Sequence, residues 1–233
     1  MSAQPEPAFL SEDTREGMRA GLTIVPSFIA IFVGFGIAAQ AAGVPVWAAF
    51  GLTLAVYAAP AQFAIIELAG LGPAAVAQMI FAGILINLRF LLMSLTLAQL
   101  FPRVRRGALL LSAQFIAASP YLLTFFRSRQ APRSDLYRFY RGLIAVAVPA
   151  ALLGTVLGLT LGADLPQVVT FGATLFLPVY FSLLLASQLK LRREIAAAAA
   201  GLVLTPPAEL LLPGWGMLFT ALGVGAVLTL VKR

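Results

Sequence analysis

From Gly21 onward the chain is a succession of long apolar runs separated by short polar or basic turns. The runs cover residues 21–42, 46–70, 73–100, 107–126, 142–162, 168–189, 195–212 and 215–231. Most reach the ~20 residues that a helix needs to cross a ~30 Å hydrocarbon layer, and the last two lie at the low end. They lack the ~10-residue alternation of a membrane barrel, so the expected fold is all-α and polytopic. Residues 1–20 read as a polar tail, with a short interfacial helix predicted over Ser11–Arg19, where Ser11 and Thr14 can cap. Residues 21–233 then form a single transmembrane domain.

Several runs are interrupted. Tyr57-Ala58-Ala59-Pro60-Ala61-Gln62-Phe63 breaks the second, and Ile86-Asn87-Leu88-Arg89-Phe90 puts two polar residues into the third. The turn at residues 70–73 makes these runs antiparallel neighbours. Pro60 lies about 15 Å along a helix from Gly70, and Asn87 about 21 Å from Pro73. Both interruptions therefore fall in the central third of the layer, facing each other. An Arg at that depth costs ~2.5–3.5 kcal/mol on insertion scales, and broken helices at mid-depth are where transporters hold substrates. The competing reading is a tolerated proline kink, with Arg89 serving only to satisfy backbone carbonyls. Ala117-Ala118-Ser119-Pro120, Leu177-Pro178 and Thr205-Pro206-Pro207 are further expected breaks. Gly154, Gly158 and Gly162 recur at four-residue spacing, a face for close helix packing.

Charge modifies this picture at the level of topology. The net charge is +7, with 16 Lys and Arg against 9 Asp and Glu. The basic residues cluster at 103–106, 127–141, 190–193 and the C-terminus, in short inter-helix loops. That pattern marks a cytoplasmic side and leaves no role for nucleic acid. Eight full crossings would place the first two clusters on opposite faces. A re-entrant 107–126 segment, turning at Ser119-Pro120, restores one basic side. About seven crossings (six to eight) follow.

With no Cys and no His, disulfides, thiolate or imidazole metal sites and Ser-His-Asp catalysis are excluded. There is no phosphate-binding loop or paired-carboxylate motif, and Ser119 and Ser182 have no base beside them in sequence. An enzyme, a cofactor or a metal is therefore not expected. What remains is a permease working by secondary transport, or a non-catalytic membrane subunit or scaffold.

A half-helix starting at Pro60 presents free N–H groups and a positive dipole end, suited to a carboxylate. Arg89 adds a bidentate fork, and Gln62 and Asn87 add amides. Phe35, Tyr57, Phe63, Ile65, Phe90 and Phe181 offer apolar surface, although most such Phe simply pack. The candidate substrate-binding set is Tyr57, Pro60, Gln62, Phe63, Asn87, Arg89, Ser119 and Pro178. Glu67 is expected near an interface, and Glu209 is a possible proton or basic-partner site.

The order of these features resembles the AzlC family of branched-chain amino-acid exporters. The matching parts are Glu16-Gly17, Phe35-Gly36, Tyr57 to Phe63, Asn87-Leu88-Arg89, and Leu177-Pro178 through Ala186-Ser187. The resemblance implies an inner-membrane permease exporting a small hydrophobic amino acid or related carboxylate, working with a small AzlD-type membrane subunit. Three departures stand out. Phe90 occupies the place of the family's His, Pro60 replaces a small residue, and 107–126 lacks the family's Thr-Asp-Glu element.

Overall fold

A computed structural model describes residues 11–131, 135–166, 168, 171–172, 175, 179, 182, 186, 192–212 and 215–230. Those residues are helical wherever they are regular. The chain opens with α1 (Glu12–Leu22), capped by Ser11, whose Oγ accepts the Thr14 N–H at 3.4 Å. The helix predicted at 11–19 is therefore present and runs on to Leu22. It meets α2 (Val25–Ala41) at a 56° bend, where Pro26 occupies the first turn of α2. Proline is tolerated there because first-turn N–H groups have no intrahelical partner.

The next two runs behave differently from each other. Residues 46–70 fold as two short helices, α3 (Val46–Ala55) and α4 (Ala59–Ala69). Residues 73–100 fold without a break, as a 3₁₀ turn at Pro73–Ala75 followed by α5 (Val76–Leu100). Gly72 makes the preceding turn at φ 89°, a conformation that glycine adopts without penalty. Residues 106–130 are again split, into α6 (Arg106–Gln114) and α7 (Ala118–Gln130). The expected turn at Ser119-Pro120 is corrected here. The break falls at Phe115–Ala117, and Ser119 and Pro120 sit in the first turn of α7. The reason is the same as at Pro26: proline starts a helix more readily than it ends one.

The longest helix is α8 (Leu136–Gly162), started by Asp135, whose Oδ1 accepts the Arg138 N–H at 3.1 Å. Further on come α9 (Arg192–Leu211) and α10 (Gly216–Leu230), packed on each other. The break expected at Thr205-Pro206-Pro207 is also corrected, because both prolines lie inside the continuous α9. Trp215 packs its ring 5.5 Å from that of Phe81 on α5. Among the described residues, three helical stretches are long and apolar enough to cross a membrane: 73–100, 136–162 and 194–211. The bent α1–α2 pair makes a fourth.

Small residues set how α1 and α2 lie on α8. A Cβ on Gly36 would stand 2.8 Å from the Gly158 Cα, and one on Gly154 would stand 2.8 Å from the Ile29 carbonyl oxygen. Gly162 faces Gln40 and Ile37 of α2. The four-residue glycine stripe is thus a packing face, as its spacing predicts. Gly17 and Gly142 make the corresponding close approach between α1 and α8. Nearby, Thr53 Oγ1 and Thr155 Oγ1 are 2.9 Å apart, tying α3 to α8 inside the core. In lipid such association rests on close packing and interhelical hydrogen bonds.

Candidate functional site

The α3–α4 break begins with Tyr57 at φ 44°, followed by Ala58 in an extended conformation (φ −141°). The α6–α7 break ends on Ala117 with nearly the same φ, −140°. Neither N-cap uses a side chain. Each new helix therefore starts with first-turn N–H groups that have neither a helical nor a side-chain partner. Prolines follow within three residues of each cap, Pro60 in α4 and Pro120 in α7.

These two starts open on one cavity of about 160 Å³. Ala58, Ala59 and Pro60 line it from one break, and Ala117, Ala118 and Ser119 from the other. Phe28, Ile31 and Phe32 of α2 form an apolar wall, Tyr57 closes one end, and Arg89 and Phe90 of α5 complete the lining. Arg89 stands 11 residues before the end of α5, roughly 16 Å along its axis, and its guanidinium lies 4.7 Å from the Phe90 ring centroid. Two helix N-termini at about +0.5 each and a guanidinium bring roughly +2 of charge to the cavity. The Tyr57 hydroxyl is buried with no hydrogen-bond partner, while its ring packs on Phe28, Phe32 and Phe115.

The opposite ends of the broken helices are closed. Gln62 Nε2 donates to the Leu52 carbonyl at 3.0 Å, and Val56 N–H donates to the same oxygen at 2.9 Å. Gln114 Nε2, at the end of α6, donates to the Leu54 and Ala55 carbonyls of α3. At the end of α6, Tyr140 Oη donates to the Ser112 carbonyl at 2.9 Å. The protein thus supplies its own donors to the carbonyl ends and leaves the N–H ends facing the cavity.

The sequence profile of the AzlC protein family matches residues 23–165. The chain belongs to the AzlC family. Neither a curated protein nor a solved structure matches it. The matched stretch runs from just before α2 to just after α8, so it contains both breaks and Arg89. AzlC proteins are associated with transport across membranes rather than with catalysis. A membrane transport role follows for this chain.

The expected site residues divide into groups. Tyr57, Pro60, Arg89 and Ser119 come together in the cavity lining. Gln62 is fully buried, caps α3 through Nε2 and leaves Oε1 unpartnered. Phe63 packs edge-on to Phe35 at 5.9 Å, away from that lining. Asn87 is half-buried with an unpartnered Oδ1, two residues from Arg89, and is not part of the lining. Pro178 and Phe181 lie outside the described residues. Glu67 is exposed in the last turn of α4, and Glu209 is half-buried in α9. Phe90 lines the cavity beside Arg89.

Sequence reasoning overlooked the cap role of Gln114 and the wall formed by α2. It also treated Ala117–Pro120 as a turn, not as a second helix start. The available signal was the repeated pattern itself, Ala58-Ala59-Pro60 and Ala117-Ala118-Ser119-Pro120.

Proposed function

We propose that this chain is a multi-pass permease of the cell's inner membrane that exports a small apolar carboxylate compound, branched-chain amino acids among the candidates. Transport runs by alternating access and is secondary, with an AzlD-type small subunit as the expected partner. The observation that carries the reading is the convergence of two half-helix N-termini and Arg89 on one cavity with an apolar wall. Helix N-termini and a guanidinium both bind carboxylates, and Phe28, Ile31 and Phe32 suit an aliphatic tail. The volume supports a small ligand: an apolar cavity of about 150 Å³ accepts a benzene-sized molecule. In the proposed topology the broken pairs α3–α4 and α6–α7 belong to the membrane domain, bringing the span count toward seven. Their cavity-facing ends are then the irregular backbone that a membrane tolerates only beside protein or water.

The test is efflux from proteoliposomes loaded with labelled branched-chain amino acids and carboxylates, with and without an AzlD-type subunit. Wild-type protein should release at least one of them. Arg89→Ala should abolish release, and Arg89→Lys should weaken it because a lysine lacks the bidentate fork. Full release by well-folded Arg89→Ala would refute the site. No release of any of these compounds in either condition would point to a non-transporting subunit.

A further inference from the structure

The cavity that holds the proposed substrate has a one-sided chemistry. Among the described residues no carboxylate lines it. Of the nine acidic residues, Glu12, Asp13 and Glu16 are on α1, where Glu16 pairs with Arg127 and Asp13 accepts the Asp135 N–H at 3.0 Å. Asp135 caps α8, Glu67 ends α4, Asp164 follows α8, and Glu194 and Glu209 are on α9. Only Glu6 falls outside the described residues, and 167–191 contains no acid in its sequence.

The other ligands a broken helix can offer a cation are its C-terminal carbonyls. Here those of Leu52, Leu54 and Ala55 accept from Gln62 and Gln114, and that of Ser112 accepts from Tyr140. An ammonium group in this small space would therefore meet two helix N-termini and a guanidinium, with no charged counterpart. The one buried side-chain group awaiting a partner in the lining is the Tyr57 hydroxyl, 2% exposed as a residue, and a hydroxyl can donate to a carboxylate or keto oxygen.

Resting on the transport reading above, we infer that the ligand is a small aliphatic monocarboxylate with no cationic amine, a branched keto acid or short fatty acid and not a zwitterion. The carboxylate binds between the starts of α4 and α7 and Arg89. The aliphatic tail lies on Phe28, Ile31 and Phe32. A keto oxygen, where present, accepts from Tyr57.

Four ligands of matched skeleton test this on the full chain in lipid nanodiscs: leucine, its keto acid, the carboxylate with the amine deleted, and isoamylamine. Both amine-free carboxylates should bind at least about tenfold tighter than leucine, because the like-charge contact is gone. Isoamylamine should not bind. A keto acid tighter than the plain carboxylate, with the difference erased in Tyr57→Phe, identifies the keto acid as the better-fitted class. Equal affinities would favour the fatty acid.

Ser119→Asp provides a second arm that does not depend on removing Arg89. An acid in the first turn of a helix is well tolerated, and it adds the missing carboxylate to the cavity. It should shift preference toward leucine by about tenfold, and an unchanged preference overturns the charge argument. Leucine binding as tightly as the keto acid to wild type, with loss in Arg89→Ala, overturns the inference and leaves the transport reading standing. Binding of none of the four to well-folded protein overturns both.

Discussion

Gly36→Ala is the perturbation whose effect the geometry fixes most directly. The added methyl would stand 2.8 Å from the Gly158 Cα and 2.8 Å from the Leu159 nitrogen, and it would also press on the Thr155 carbonyl oxygen. Carbon atoms pack best at about 3.5–4.0 Å, so α2 must move off α8 by roughly 1 Å. All three neighbours are backbone atoms of α8, so no rotamer change relieves the contact. Overpacking of this kind costs about 1–3 kcal/mol. The displacement would also loosen the adjoining contact of Gly154 with Ile29 and Phe32. For a chain of this size each kcal/mol lowers the melting midpoint by about 2–4 °C, so the purified protein should melt several degrees lower. Because Phe28 and Phe32 on the same helix wall the cavity, ligand affinity should fall with stability. Gly51→Ala and Gly201→Ala are the controls, since a Cβ there meets nothing within 4 Å. Both lie inside helices, where alanine is favoured over glycine by up to about 1 kcal/mol, so neither should destabilise. A Gly36→Ala protein that melts with the controls would refute the close α2–α8 packing.

Three further substitutions address separate links. Tyr57→Phe removes a buried hydroxyl that has no partner, so thermal stability should hold or rise by up to about 1 kcal/mol; a clear fall in the melting midpoint would mean that the hydroxyl is satisfied within the protein. Thr53→Val and Thr155→Val break the hydroxyl–hydroxyl contact, yet each O–H also has its own helix carbonyl, Ala49 or Ala151, within reach and can donate to only one acceptor at a time. A double-mutant cycle read by thermal unfolding should therefore give a coupling of only about 0.5–1 kcal/mol, and additive losses would place the two groups apart. Glu16→Gln breaks the pair with Arg127, which is partly open to solvent, and should cost no more than about 1 kcal/mol in low salt. A larger loss would show that this pair holds α1 to the end of α7.

Much of the architecture was legible because membrane helices write their length and their close contacts into the sequence. The Ser11 cap and the glycine stripe of α8 read correctly from spacing and residue type, whereas the run at 73–100, read as interrupted at Asn87 and Arg89, continues through them as one helix. Proline was less informative. The same residue starts α2, α4 and α7 within their first turns and passes unbroken through α8 and α9, at Pro149 and at Pro206 with Pro207. Residue type alone does not separate these cases. The candidate site was read in part for a similar reason. Pro60 and Arg89 announce themselves by their cost in lipid. Gln62 reads as a ligand until the structure shows its amide N–H donating to Leu52 of α3.

The two breaks are the reason the proposed anion site is placed here and not at another helix start among the described residues. Each is built in the same order: a short helix, three irregular residues ending on an extended alanine, a second short helix with an early proline, then a long helix. Ala58 and Ala117 hold the same place in that order. One such start carries about half a unit of positive charge, which water would satisfy at little cost. Two starts opening on one cavity, with Arg89 beside them, concentrate a charge that the surrounding Phe and Ile side chains do nothing to offset. In the proposed binding mode, the ligand's carboxylate completes a site whose halves belong to different broken helices. Any motion of α3–α4 relative to α6–α7 would take the site apart. Gln114 is the tie between those halves, donating from the end of α6 to the end of α3. In the proposed alternating-access cycle, this is a contact that would have to stretch or exchange.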